Sequence, residues 1–238
     1  MNKIFDINYM LSTVPEIIKY LPVTLILATV SALIGLVIAF IIALIRYFNV
    51  KVLTQISKVY VSFIRGTPTL VQLFLVYYGI PILLQGLNAE FGTSFSVSVI
   101  PRIAFAFVAL SLNSGAYMSE TLRSAMLSVD PGQLEACYSV NMNIRQALTR
   151  IIIPQALTVA LPSLSNSFIS MVKETSLAFS ISVVELMAGA KLVGARSFRF
   201  FETYIVVSLI YWIVCIVIEQ LFALFEKYLR RYERGVTR

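Results

Sequence analysis

Long uncharged apolar runs separated by short polar stretches dominate this chain of 238 residues. A bilayer-crossing helix needs roughly 20 mostly apolar residues. Runs that meet this requirement occupy 22–47, 59–84, 99–118, 155–174 and 203–225. The pattern predicts an all-α membrane protein with five transmembrane helices. The second run is interrupted by Arg65-Gly66-Thr67-Pro68, where Thr67 is positioned to cap a helix restarting at Pro68. The fourth run is more polar than the others. Ahead of the first lies a short segment, 1–21, in which 9–21 reads as an interfacial helix interrupted at Pro15. No cleavable leader pattern is visible. The chain reads as one membrane domain, 1–238, with no room for a second sizeable unit.

Charge placement orients the spans. With five crossings the two chain ends lie on opposite sides. One side carries Arg46, Lys51, Lys58, Arg65, Arg123, Arg145, Arg150 and the tail residues Lys227, Arg230, Arg231, Arg234 and Arg238. The other carries only Lys3, Lys19, Arg102, Lys191, Arg196 and Arg199. The positive-inside rule predicts an external N-terminus and a cytosolic C-terminus. The stretch 130–154 is then cytosolic.

That stretch, DPGQLEACYSVNMNIRQALTRIIIP, reads as two short capped helices facing water. Asp130 is an N-cap, Pro131 occupies the first helical position, and Gln133 stands where a capping box places its partner. The first helix is expected to end near Val140, with Asn141 in the left-handed conformation that closes it. Asn143 caps a second helix, again with Gln146 three residues on. Pro154 is expected to push Ile153 off helical angles and set a boundary or kink. On spacing alone the stretch is either a structured connection or a rigid docking element.

Polar side chains within the spans each need a reason. The Gly66–Pro68 break frees backbone groups that protein or a water-lined cavity must satisfy; it is either a packing kink or part of a pathway. Asn113, Tyr117, Glu120 and Arg123 share one helix face, and Ser114 adjoins them. Glu120 and Arg123 form a structural pair by this reading, and Asn113 lines a path. Ser163, Asn166, Ser167, Ser170 and Glu174 make a polar stripe along the fourth span. Ser163 and Ser167 are read as glue between helices. Glu174, next to Lys173 and Thr175, either contacts a substrate or forms a salt bridge with Lys173 or with another span.

Composition narrows the chemistry. The chain is 58% hydrophobic and 13% charged, with no histidine and two cysteines. The commonest general base and zinc ligand are therefore missing, no metal site is expected, and a membrane enzyme is disfavoured. The net charge of +7 is spent on topology, and nucleic acid is not an expected partner. Gly189 and Gly194 have phosphate-loop spacing, but Ala195-Arg196 stand where Lys-Ser/Thr is required, so no nucleotide site is expected.

Glu135-Ala136-Cys137, Asn141 and Ile151-Ile152-Ile153-Pro154 resemble the EAA motif of the membrane subunits of bacterial ATP-binding cassette importers. Cys137 stands for the second alanine, Asn141 for the glycine and Ile153 for a leucine; the Asn keeps the left-handed option. Arg65-Gly66-Thr67-Pro68, Gln72, Tyr77-Tyr78-Gly79, Gly115-Ala116-Tyr117 and Lys173-Glu174-Thr175-Ser176-Leu177 are similar, in this order, to the polar amino acid permeases of the histidine, glutamine, arginine and cystine type. The resemblance implies a type I importer permease fold in a bacterial plasma membrane. It implies ATPase coupling through Gln133, Glu135, Ala136, Asn141, Ile151 and Pro154. It also implies a substrate pathway through Thr67, Gln72, Asn113, Ser114, Tyr117, Glu174 and Thr175. Five spans are too few to enclose a path, so a two-fold dimer with a second copy is expected. The implied partners are a cytosolic ATPase dimer, which carries the ATP and magnesium, an extracellular substrate-binding protein and the lipid bilayer; no cofactor is expected on this chain. Alternating access follows, for a polar amino acid, with an overall likeness that leans to L-cystine. An ion-coupled secondary carrier using Glu120, Glu174 and Glu219 is the alternative.

Overall fold

The computed structural model describes residues 6–94, 96 and 99–233, with only the backbone from 229 onward. Lys3, Arg234 and Arg238, used in the charge count, lie outside the described residues, as do the side chains of Arg230 and Arg231. The fold is all-helical among those residues. Helix α1 (Ile7–Ile18) is capped by Asp6, whose side chain accepts the Tyr9 N–H. It runs through Pro15 without the expected interruption. Proline removes one hydrogen bond there, and packing outweighs that loss. Ile17 is fully buried in a cluster with Leu186, Val193, Val206 and Ile210.

Helix α2 (Leu21–Tyr47) and helix α5 (Arg102–Leu127) form the central pair. Their contact is built on small residues: Ala28, Ser31, Ala32, Gly35, Ala39 and Ala43 from α2 meet Ala106, Ala109, Ser114, Gly115 and Ser119 from α5. A β-carbon at Gly35 would sit 1.9 Å from Ser114 Oγ and 3.1 Å from the Ser111 carbonyl oxygen. In lipid, where apolar side chains gain little by leaving solvent, such close backbone approach drives helix association.

The expected second span is divided more completely than anticipated. Helix α3 (Lys51–Gly66) ends at the break and α4 (Thr69–Phe91) starts beyond it, with Thr67 and Pro68 extended. The apolar crossing is α4, and α3 is a separate amphipathic helix. It buries Thr54, Ser57, Val61 and Ile64 and exposes Lys51, Lys58 and Arg65. Among the described residues four stretches are long and apolar enough to cross a membrane: Leu21–Tyr47, Thr69–Phe91, Ile144–Ile181 and Phe200–Tyr228. Helix α5, 26 residues or about 39 Å long, is more polar because neighbouring helices wrap it. Asn113, Ser114 and Ser119 are all buried in protein.

Helix α6 (Pro131–Ser139) and the short α7 (Ile144–Ala147) follow α5. A π-helical turn, Leu148–Ile152, joins α7 to α8 (Ile153–Glu174), so an element junction does fall at Pro154, which stands in the first turn of α8. Ile153 stays helical, at φ −62° and ψ −45°, and its N–H reaches back to the Leu148 carbonyl. The proline ring crowds the carbonyl four residues earlier, and one widened turn relieves that clash without breaking the helix. Beyond α8 a 3-10 segment, Thr175–Ile181, leads to α9 (Leu186–Ser197) and then α10 (Phe200–Glu233). Gly189 and Gly194 lie inside α9. A β-carbon at Gly189 would fall 2.1 Å from the Tyr20 ring, and one at Gly194 would fall 3.0 Å from Phe200. Those glycines serve close packing.

Candidate functional site

The break between α3 and α4 explains its own sequence. Ending α3 leaves carbonyls without helical donors. The buried Gln72 amide donates to the Ile64 carbonyl at 2.7 Å, and to the Thr67 carbonyl and Thr67 Oγ1, each at 2.9 Å. Thr67 does not cap α4 as expected; its hydroxyl donates to the Phe63 carbonyl at 2.9 Å and closes α3. Pro68 takes the cap position with no side-chain bond. The Gln72 Oε1 then accepts the Asn113 Nδ2 hydrogen at 2.9 Å. Thr67 and Gln72 thus brace Asn113 and are not among the residues that line the cavity between α5 and α8.

Asn113, Ser114 and Tyr117 from α5 face Asn166, Ser167, Ser170, Met171 and Glu174 from α8 across a cavity of about 310 Å³. Four of the seven expected pathway residues, Asn113, Ser114, Tyr117 and Glu174, meet there. Ser114 packs against Gly35 as well, its hydroxyl donating toward the Ser31 and Ser111 carbonyls. Ser167, read as helix glue, lines the cavity while donating to the Ser163 carbonyl at 2.9 Å. Thr175 does not join the cavity: it is fully buried and donates to the Val172 carbonyl at 2.7 Å. Among the described residues no cation lies within ion-pairing distance of Glu174, neither Lys173 nor one from another span. The cavity therefore offers one acid, two amides and a set of hydroxyls.

Glu120 is held from two sides. It pairs with Arg123 at 3.2 Å, as its spacing suggested, and also with Arg46 of α2. The second partner comes from another span, which helix periodicity does not reveal. Glu185 was not singled out from the sequence. It is fully buried and caps α9, accepting the Met187 and Ala188 N–H groups at 3.0 and 2.9 Å and the Tyr211 hydroxyl at 2.9 Å. A lone acid in an apolar connection was the available signal.

The element between Asp130 and Pro154 is rigid at each joint. Asp130 accepts the Gly132 N–H at 2.8 Å, in place of the expected capping box with Gln133. Pro131 takes the first position of α6. Asn141 has φ +60°, as its position required. The Met142 N–H reaches the Cys137 carbonyl at 3.0 Å and the Asn141 N–H reaches the Tyr138 carbonyl at 2.9 Å. Those two bonds are the Schellman closure. Asn143 and Gln146 form the reciprocal capping box, both bonds at 2.9 Å. Cys137 is buried, which accounts for a small residue there, whereas Gln133, Glu135, Ala136, Tyr138 and Val140 are exposed on α6. Asn141 and Pro154 are exposed and Ile151 is half-buried.

A multi-pass helical bundle, a polar cavity between two of its helices and a braced two-helix projection are the architecture of a membrane permease. Residues 31–231 match the family described as binding-protein-dependent transport system inner membrane component. The chain belongs to that family, whose members are the transmembrane subunits of ATP-binding cassette transporters, the ATPase being a separate subunit. It is 46% identical over 217 residues to the probable amino-acid ABC transporter permease protein PatM of Vibrio harveyi, covering 90% of this chain and 92% of that one. It is 40% identical over 237 residues to the L-cystine transport system permease protein TcyL of Bacillus subtilis, covering 100% and 97%. A solved amino acid ABC transporter crystallised with histidines superposes with a TM-score of 0.79 at 34% identity, covering 95% of this chain and 100% of that one.

Proposed function

We propose that this chain is the membrane subunit of an ATP-driven importer for a polar L-amino acid, working as a single domain. The observation that carries the reading is the α5–α8 cavity. An α-amino acid is a zwitterion. Glu174 and the Asn113 side-chain carbonyl oxygen would hold its ammonium, and the Asn166 amide with the Ser170 hydroxyl would hold its carboxylate. Gln72 and Thr67 keep the Asn113 amide aimed.

In this reading α2, α4, α5, α8 and α10 cross the membrane, with the N-terminus outside and the tail in the cytosol. Two copies face one another about a two-fold axis in the plasma membrane. Each Asp130–Pro154 element docks on a cytosolic ATPase subunit through Gln133, Glu135, Ala136 and the Asn141 bend, with Ile151 and Pro154 fixing its root on α8. ATP, held with magnesium by the partner, draws the two elements together and turns the cavity outward, where a binding protein delivers substrate. The relatives named for L-cystine transport support a lean toward cystine, alongside others named for arginine, octopine and nopaline transport.

The test is an uptake competition panel in proteoliposomes holding the permease, its ATPase and its binding protein, run with Glu174→Gln beside the unaltered chain. Competition by polar amino acids, with uptake falling about ten-fold or more in Glu174→Gln while the complex still assembles, is the expected result. Unchanged uptake kinetics in Glu174→Gln would reject the site.

A further inference from the structure

A second concavity of about 510 Å³ adjoins the first and shares Tyr117 with it. It is lined by Arg46, Lys58, Ser62, Arg65, Tyr117 and Glu120. Its charge is the reverse of the first cavity's. Glu120 is its one acid, and both carboxylate oxygens are engaged: one with Arg46, the other with Arg123. Among the described residues Lys58 and Arg65 have no acid within ion-pairing distance. The Arg65 guanidinium lies over the Tyr117 ring, 5.6 Å from its centroid. Lys58 and Arg65 are seven residues apart and so share a face of α3. Val52, Ile56, Val59 and Phe63 also stand exposed on that helix.

We propose that this second concavity is a carboxylate-binding release site. The inference rests on the amino acid reading above and deepens it. The first cavity has a charged partner for an ammonium but only neutral donors for a carboxylate. Beyond Tyr117 lie two uncompensated cations, on the same side as the Glu120–Arg46 pair and the start of the Asp130–Pro154 element. Turning Tyr117 aside would open Arg65 to a carboxylate leaving the first cavity. The acid at one end and the bases at the other give a zwitterion a direction of exit. The Arg65–Tyr117 stack closes the passage when no carboxylate competes for the guanidinium.

The same basic lining could attract the phosphate of an anionic lipid, and the experiment separates the two sources. Ser62→Cys serves as a reporter in a chain carrying Cys137→Ala and Cys215→Ala, assembled with its ATPase in discs of zwitterionic lipid. Its modification rate is measured with an anionic sulfonatoethyl and a cationic trimethylammonioethyl methanethiosulfonate, each normalised to a free thiol. A basic cleft concentrates counter-ions by about ten-fold or more. The anionic reagent is therefore expected to win by that factor, propionate to slow it, and propylamine to leave it unchanged. Lys58→Gln combined with Arg65→Gln should bring the ratio back to about one. Equal rates in the reporter chain, or a preference that survives the double substitution, overturn the proposal. So does protection by phosphatidylglycerol in the discs with none from propionate, which assigns the site to lipid. An uptake panel in which no amino acid is carried overturns the transport reading while leaving the reagent ratio intact, so the two failures are distinguishable.

Discussion

The bend at Asn141 is where the structure makes its most quantitative demand. Asn141 sits at φ +60° between α6 and α7, a conformation that costs an ordinary L-residue about 1–2 kcal/mol and a β-branched one more. Holding it there preserves the Met142-to-Cys137 and Asn141-to-Tyr138 bonds, each worth about 0.5–1.5 kcal/mol net. Asn141→Val must either bear the strain or give up both bonds, and the cheaper choice still weakens the bend by about 1–2 kcal/mol. At 1.4 kcal/mol per factor of ten, the ratio of bent to unbent forms falls by about ten-fold. Asn141→Gly removes the penalty and retains the bend. The assay is ATP hydrolysis and amino acid uptake measured together in proteoliposomes. Asn141→Val is expected to keep hydrolysing ATP while losing up to about ten-fold in uptake per ATP, and Asn141→Gly to couple normally. Normal coupling in Asn141→Val, or equal uncoupling in Asn141→Gly, would refute the claim that the left-handed bend transmits the force.

Other expectations follow from the same packing. Gln72→Leu leaves the Ile64 and Thr67 carbonyls and the Asn113 amide short of partners, at about 1–3 kcal/mol per buried group; it should lower the melting temperature of the purified chain, and an unchanged one would count against the brace. Gly35→Leu drives a side chain into Ser114 and the Ser111 carbonyl, so monodisperse material should be lost on size exclusion, and a normal elution profile would deny the α2–α5 contact. Asp6 is held below the usual carboxylate range by its hydrogen bond from Arg199, at 2.9 Å, and by the Tyr9 N–H. A depressed folded-state value means the support is fully present above the ordinary aspartate pKa and lost as pH falls through the lower value. Protection of α1 amides from hydrogen exchange should therefore persist at pH 5 and weaken only below about pH 4; loss already at neutral pH would contradict the pairing.

Local chemistry was the most legible part of the chain. Asp130, Pro131, Asn141 and the Asn143–Gln146 box are short-range devices, and each except the Asp130–Gln133 box formed where its sequence placed it. The polar faces of α5 and α8 were equally readable, because a 3.6-residue period brings Asn113 above Tyr117 and Asn166 above Ser170 whatever surrounds them. What escaped was long-range. Arg46 reaches Glu120 from another span, and Gln72 reaches back across the α3–α4 break to satisfy carbonyls that no pairwise spacing connects. Pro15 misled because proline taxes a helix only locally and the packing of Ile17 absorbs the loss; Pro154 does mark a junction, but as a π-turn that leaves Ile153 helical. Thr175 drew its site role from the Lys173–Leu177 resemblance, and its hydroxyl turns back to the Val172 carbonyl of α8, a contact the motif does not reveal.

Coupling to a separate ATPase is the claim on which the account stands, and vesicle uptake measures it most directly. Proteoliposomes holding the permease with its ATPase and binding protein should accumulate the amino acid only when ATP is hydrolysed. Vesicles holding the permease alone should show no uptake under an imposed proton or sodium gradient. Accumulation driven by such a gradient with no ATPase present would contradict the account.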